Sequence, residues 1–304
     1  MDMYAEEVSL DEAAVVGLVA AQFPAWSGLP LTRVRSSGNV NVLYRLGSDE
    51  VVRLPRVPLA HADLEREVHW LPELAPHLPV PVPVPLAKGT PYGDYPWSWG
   101  VYSWLRGANP QDDDLARSQS FARDLAGFVL ALRRIPVDGA PLGYRGADVG
   151  THDAEVRAAL AAADRIVGRS ELEYIWDAAV SSPPWSGRPV WTHGDLLPGN
   201  VLVERGELVG VIDFGCAGIG DPACDLVPAW ALLGCAARET FRESMGADDA
   251  MWARGRGWAL SIALQALVHF EQTNASFVAL AHTMIDQLLA EDQTEIRFSA
   301  NSER

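Results

Sequence analysis

The sequence predicts an α+β chain in two lobes: a small N-terminal lobe on an antiparallel sheet, then a larger and mainly helical C-terminal lobe. Three observations predict it. After one leading helix, the first hundred or so residues alternate short apolar runs with Gly- and Ser-containing turns. From Ser118 onward, apolar residues recur mostly at helical spacing. Between the two patterns lies the polar stretch Arg106–Asp114, which sets the boundary, with residues 1–105 as the first lobe and 106–304 as the second.

In the first lobe, Ser9–Phe23 reads as a helix capped by Ser9, with Asp11 and Glu12 at the positive end of its dipole and Val15, Val16, Leu18, Val19 and Phe23 on its apolar face. Strands are expected at Leu31–Arg35, Asn41–Leu46 and Glu50–Leu54, a meander turned at Ser36-Ser37-Gly38 and Gly47-Ser48-Asp49. A helix over Ala62–Leu71 carries Leu64, Val68 and Leu71 on one face. Proline at every second position of Leu78–Leu86 forbids a central strand and leaves extended chain or a sheet edge. Trp97–Leu105 alternates aromatic and small residues as a strand would. In the second lobe, helices are expected at Ser118–Ile135, Asp153–Ile166, Ser170–Val180, Leu226–Leu233, Trp258–Phe270 and Ser276–Leu289.

Charge narrows the function. Forty Asp and Glu against 24 Lys and Arg give a net charge of −16. That is the opposite of the basic stripe a nucleic-acid binder needs, and it favours cationic ligands. The acidic N-terminus does not read as a targeting leader, and no apolar run approaches the ~18 residues that suggest a membrane span. Cys216, Cys224 and Cys235 form neither a CxxC pair nor a metal cluster with histidine, which fits a reducing cytoplasm.

The chemistry concentrates in Val190–Leu226, VWTHGDLLPGNVLVERGELVGVIDFGCAGIGDPACDL. Val201–Val203 and Leu208–Ile212 are short apolar runs about Arg205-Gly206, a β-hairpin pattern that would carry Asn200 and Asp213 at its two ends, with Asp195 on the loop before it. A carboxylate and an amide oxygen suit Mg²⁺, which takes hard oxygen ligands and keeps others from water and phosphate. A separate carboxylate then orients a hydroxyl nucleophile. An Asp on a loop, an Asn a few residues on and the Asp of Asp-Phe-Gly is the protein kinase template. His193 has no histidine partner in spacing and is read as a brace for the loop. Asp221 and Asp225 remain open between members of the motif and ordinary turn or cap residues.

HGDLLPGN followed by VIDFGCAGIGDPACDL resembles the aminoglycoside phosphotransferase family, including its macrolide-phosphotransferase-like members. The resemblance implies a two-lobed protein-kinase-like fold, Asp195 as catalytic base, Asn200 and Asp213 as Mg²⁺ ligands, and ATP or GTP as donor. It places Ser36, Ser37 and Gly38, which depart from GxGxxG, over the phosphates. It places Arg53, among apolar neighbours, where the family usually has a nucleotide-binding Lys; its partner would be Glu67, with Glu65 as the alternative. The backbone near Val101–Ser103 would hold the base. Protein kinases carry Arg before the catalytic Asp and a long segment ending in Ala-Pro-Glu; here Gly194 precedes Asp195, and Gly220-Asp221-Pro222 follows Asp213-Phe214-Gly215 directly. The expected activity is phosphoryl transfer to a hydroxyl of a small cationic molecule, an aminoglycoside or macrolide antibiotic. Choline-, homoserine- or sugar-type kinases, and a silent nucleotide-binding relative, are the alternatives. The carboxylates Asp153, Glu155, Asp164, Glu171, Glu173, Asp177, Glu271, Asp286 and Glu291 are candidates to face the acceptor, while the Trp- and Leu-rich C-terminal helices tilt the choice towards a bulky, partly apolar one.

Overall fold

The computed structural model describes residues 10–34, 40–111, 113–162 and 168–302, so Ser9 and the Ser36-Ser37-Gly38 turn lie outside the described residues. Two compact units result: Met1–Ala108 with Val209–Gly215, and Asn109–Leu208 with Cys216–Arg304.

The first unit opens with α1 (Glu12–Gln22), whose cap is Asp11 and not Ser9: its Oδ1 accepts from the Ala14 amide at 2.8 Å. Strands β1 (Leu31–Arg33), β2 (Asn41–Leu46), β3 (Glu50–Pro55), β4 (Pro85–Gly89) and β5 (Trp99–Ser103) form one antiparallel sheet in the order β1-β2-β3-β5-β4. Along β2, Val42, Tyr44 and Leu46 alternate inward, and β3 adds Val52 and Leu54, so the two-residue period of the pleat faces the core against Val15, Leu18 and Val19 of α1. The proline run ends in β4 at the sheet's edge, where Pro85 can open the strand without breaking a central ladder. Helix α2 (Pro58–Leu74) is longer at both ends than Ala62–Leu71, because Pro58 occupies the first turn, where a missing N–H is harmless.

Beyond the first sheet, α3 (Asp113–Ala116), α4 (Gln119–Arg133), α5 (Asp153–Ala162) and α6 (Arg169–Ser181) precede the strands β6 (Val190–Thr192), β7 (Val201–Glu204), β8 (Glu207–Val211) and β9 (Gly218–Gly220), all of the second unit except Val209–Val211 of β8. Then come α7 (Pro228–Ala231), α8 (Cys235–Met245), α9 (Asp249–Phe270) and α10 (Ala275–Ser302). The β7–β8 hairpin turns through Arg205 and Gly206, both at positive φ (55° and 84°), the type I′ geometry that matches strand twist. The expected helix over Leu226–Leu233 is instead a tight turn, Pro222–Leu226, and then the short α7, since Pro228 starts a helix but cannot continue one. Helix α9 begins at Asp249, well before Trp258. Its first turns hide their burial behind Arg254, Gly255, Arg256 and Gly257, all inside the core. A Cβ on Gly255 would lie 2.8 Å from the Leu226 Cβ, and one on Gly257 2.5 Å from that of Ala179, so glycine lets α9 pack closely there. Among the described residues, no helix is long and apolar enough to cross a membrane.

Candidate active site

In the first unit the site is built around Arg53. Its place in β3, paired to Leu43 on one side and Gly100 on the other, fixes the side chain's starting point. The guanidinium forks: Nη1 meets Glu67 Oε2 at 2.5 Å and Nη2 meets Asp213 Oδ1 at 3.1 Å. With its amide turned to accept, the Asn41 side-chain oxygen lies 3.0 Å from Nη2 and 3.2 Å from Nε. Of the two glutamates open in the sequence, Glu67 is the partner; Glu65 meets Lys88 at the surface. The other Glu67 oxygen accepts from the Phe214 amide at 2.8 Å, and the Tyr102 hydroxyl lies 3.3 Å from Oε2. Burial opposes the charge on Arg53, but the Glu67 and Asp213 carboxylates more than offset it and hold the guanidinium above its ordinary pKa. Asp213 sits at φ 65°, a left-handed conformation uncommon for a non-glycine residue, with its side chain 44% exposed. The other carboxylate on Arg53, Glu67, is sealed at 1%. Asp63, whose Cβ is 3.0 Å from where a Cβ on Gly215 would lie, is pushed up to about 6 by burial and, against the pull of Arg53, by the Asp213 carboxylate.

Val101 and Ser103 lie within β5, the strand between β3 and β4. Val101 is paired to Val52 and to Ala87, and the Ser103 amide donates to the Val84 carbonyl at 3.0 Å. The chain leaves regular structure after Ser103, from Trp104 to Gly107.

In the second unit the Asp195 loop follows β6. Asp225, fully buried, accepts from the His193 amide at 2.9 Å and the Gly194 amide at 2.8 Å, one oxygen to each. It is therefore an anchor for this loop and not the cap of the helix after it. Gly194 has φ 75°, and a Cβ there would lie 3.1 Å from the Cys216 carbonyl oxygen, so the turn before Asp195 requires glycine. His193 Nδ1 accepts from the Asp195 amide at 3.2 Å, the brace expected of it. Asp221 caps the following turn through the Ala223 amide and pairs with Arg254 at 2.7 Å, buried at both ends. Asn200 Nδ2 donates to the Asp195 carbonyl at 2.8 Å and to its Oδ2 at 2.9 Å, which turns the Asn200 side-chain oxygen away from the carboxylate. Asn109 stitches the same loop by donating to the carbonyls of Pro198, Gly199 and Val201.

Arg145, which the sequence gives no reason to single out, is the remaining partner of Asp195. Its Nη1 lies 3.0 Å from Oδ1 and 2.5 Å from the Gly194 carbonyl oxygen. Its position comes from a ribbon, Pro141–Gly146, laid along β9: Ile219 donates to Pro141, Gly143 to Ile219, Tyr144 to Cys216 and Asp221 to Gly146. A Cβ on Gly220 would lie 2.2 Å from the Gly146 Cα, so the ribbon approaches closely because β9 lacks side chains there. The signal in the sequence was the Gly-x-x-Gly of Gly143 and Gly146 facing Gly218 and Gly220, which reads locally only as loop.

Several acidic side chains expected to face an acceptor are occupied. Asp153 and Asp177 both pair with Arg157, and Glu291 accepts from the indoles of Trp230 and Trp252. Among the described residues, no group of three or more His, Cys, Asp or Glu gathers for a metal. A cavity of about 260 Å³ in the second unit is lined by Pro198 of the Asp195 loop, by Pro110 and Gln111, and by Trp230, Leu233 and Gln287 among others.

A sheet-borne basic residue paired to a helix glutamate, together with a braced Asp-x₄-Asn loop, defines a protein-kinase-like phosphotransferase fold. The comparisons agree. The phosphotransferase enzyme family matches residues 32–258, and the chain belongs to it. The GDP complex of aminoglycoside 2'-phosphotransferase-IIIa superposes with a TM-score of 0.74 at 20% identity, covering 93% of this chain and all of that one. A macrolide 2'-phosphotransferase from Brachybacterium faecium does so at 0.61 and 24% identity, covering 90% and 97%. In sequence, an aminoglycoside 3'-phosphotransferase of Escherichia coli is 43% identical over 61 residues, 20% of this chain and 22% of that protein. The match thus spans about a fifth of the length of the curated aminoglycoside relatives.

Proposed function

We propose that the protein transfers the γ-phosphoryl group of ATP or GTP to a hydroxyl of a small antibiotic molecule, with Asp195 as the base. The observation that carries this reading is the Asp195 carboxylate itself: side chain 23% exposed, on a loop locked by Asp225, with Asn200 and Arg145 each holding one oxygen. A carboxylate offers about four lone-pair positions, so each oxygen keeps room for an acceptor hydroxyl. Asp195 receives that proton and aligns the oxygen for attack.

The oxygen donors Asn200 and Asp213 suit Mg²⁺. The Asn200 side-chain oxygen is turned away from Asp195, Asp213 is half exposed, and both are hard ligands. When bound, the ion neutralises charge on the transferring phosphoryl group. Arg53 supplies fixed positive charge to the nucleotide phosphates while Glu67 holds it in place. In this reading residues 1–105 serve the nucleotide, and 106–304 carry the catalytic loop and the helices that bind the acceptor. Val101 and Ser103 would serve base recognition by delivering the chain to Leu105–Gly107, where backbone groups leave the sheet. Ser36, Ser37 and Gly38 are proposed to contact phosphate.

For the acceptor, the cavity beside Pro198 favours bulk. Its described lining carries no charged side chain, and Trp230, Leu232 and Leu233 give it apolar wall. An uncharged wall of this kind offers a polyammonium aminoglycoside no carboxylate and suits an apolar part of a macrolide-like acceptor better. The test is nucleotide consumption by purified protein with Mg²⁺ against a panel of macrolides, aminoglycosides, choline, homoserine and sugars. Turnover with a macrolide, lost in Asp195→Asn, supports the reading; turnover confined to a sugar or amino acid would replace it with a metabolite kinase.

A further inference from the structure

We propose that Arg145 is a positioning residue of the transfer step, holding the Asp195 carboxylate in the one orientation that meets the acceptor hydroxyl; this rests on the phosphotransferase reading above. A carboxylate turns about its last bond unless both oxygens are held. Asn200, at the end of the loop, holds Oδ2 at 2.9 Å, and Arg145, from the separate Pro141–Gly146 ribbon, holds Oδ1 at 3.0 Å. The same Nη1 reaches the Gly194 carbonyl at 2.5 Å, so one guanidinium fixes both the backbone turn and the side chain it presents. Burial works against the Arg145 charge, and the Asp195 carboxylate outweighs it, leaving the guanidinium above its ordinary pKa.

The ribbon that carries Arg145 is not free to withdraw. Four backbone hydrogen bonds tie Pro141–Gly146 to Cys216–Asp221, and the glycine-on-glycine approach of Gly146 to Gly220 fixes their spacing. Tyr144, whose ring lies 5.4 Å from the Arg145 guanidinium, remains 59% exposed beside it. The pair is largely shielded, its side chains 14% and 23% exposed, and a shielded ion pair repays little more than its own desolvation, so the arrangement points to the geometry of the carboxylate it holds.

The experiment compares wild type with Arg145→Lys, Arg145→Gln, Arg145→Ala and Asp195→Asn, measuring steady-state consumption of MgATP and MgGTP against the macrolide and aminoglycoside panel, nucleotide dissociation constants by calorimetry, and melting temperature. The expected result is a kcat lowered about 100-fold in the Gln and Ala variants, as a misplaced reacting group produces. Nucleotide affinity should stay within about twofold, because the effect lies in the transition state and not in ground-state binding. Arg145→Lys should recover part of the loss, and added guanidinium should partly rescue Arg145→Ala. Wild-type kcat in Arg145→Gln with Asp195→Asn inactive would overturn the proposal while leaving the base assignment standing. Loss of turnover only in parallel with melting temperature, without rescue by Lys or guanidinium, would reduce Arg145 to a structural tie and also overturn it. Full activity in Asp195→Asn, or a wild-type protein that leaves both nucleotides intact across the panel, would sink the reading and the proposal with it.

Discussion

Asp225→Asn tests whether the Asp195 loop is held from behind. The wild-type carboxylate is fully buried and accepts one N–H on each oxygen, at 2.9 Å from His193 and 2.8 Å from Gly194. Asparagine keeps the shape but presents an amide donor to one of those N–H groups. One bond is lost, its partner N–H is left unsatisfied, and the other bond loses its charge. Hydrogen bonds to a charged group contribute ~1.5–3 kcal/mol and a stranded buried donor costs ~1–3 kcal/mol, so the change should cost about 3–5 kcal/mol. At roughly 2–4 °C per kcal/mol for a domain of this size class, the unit carrying Trp191 should melt roughly 10 °C lower. Asparagine is a cleaner probe than alanine, whose polar cavity would admit a bridging water. Because Asp195 follows Gly194 directly, kcat should fall as well, about 100-fold for a displacement near 1 Å. Thermal denaturation followed by tryptophan fluorescence, with kcat measured well below the new midpoint, separates the two effects. A melting temperature unchanged within about 2 °C, equivalent to less than ~1 kcal/mol, would refute the anchoring role.

Arg53→Ala should weaken nucleotide binding and lose most turnover, whereas Arg53→Lys should retain measurable activity; calorimetric nucleotide affinities check both. Asp195→Ala should abolish transfer yet leave nucleotide affinity largely intact, while Asp213→Ala should lower MgATP or MgGTP affinity as well, and equal losses in the two would reject the division of roles. Asp63 has its pKa raised to about 6 in the folded chain, above the value of 3.8 from which it is displaced, so the folded state binds more protons in that window and stability falls as pH rises through it. Asp63→Asn should therefore raise the melting temperature more at pH 7 than at pH 4.5, and an equal change at both would contradict the assignment. Acceptor KM should be nearly independent of salt for a macrolide carrying one amine and steeply dependent for an aminoglycoside, since screening over ~8 Å weakens each exposed charge contact.

What could be read from the sequence was whatever depends on neighbours along the chain. Asp195, Asn200 and Asp213 stand out because a loop and a hairpin need those residue types at fixed spacing, and the strands of the first unit stand out by their two-residue period. Asp225 was ambiguous for a physical reason: a carboxylate before an apolar run looks the same whether it caps its own helix or accepts from a loop some thirty positions earlier. Arg145 was invisible because its partner lies fifty residues on and its own surroundings read as a Gly- and Pro-rich connection. The first turns of α9 were missed because arginines and glycines on a buried face erase the apolar period. Arg254 is buried there because Asp221 pairs with it, and Gly255 and Gly257 because neighbouring side chains occupy the space of a Cβ.

The arginine at position 53 raises a separate question, because Lys88 is the only lysine in the chain. An arginine at position 53, where the resemblance leads to the expectation of a lysine, is in keeping with that composition. The geometry shows what arginine does there in any case. An ammonium on a flexible stem is a point charge, while a guanidinium offers two donors in one plane. Arg53 uses that plane to meet Glu67 with one nitrogen and Asp213 with the other. The two bonds are unequal: the Glu67 contact is 2.5 Å and sealed from solvent, the Asp213 contact 3.1 Å to a carboxylate nearly half exposed. On the function proposed above, the exposed bond is the one to be exchanged for a phosphate oxygen, since charge pairs open to water contribute little, and the sealed one would keep the guanidinium in place. Lys88, paired with Glu65 at the edge of the sheet, has no comparable partner set. On that proposed function, arginine at this position keeps its sealed bond to Glu67 and leaves Asp213, half exposed, available to a cation that accompanies the nucleotide.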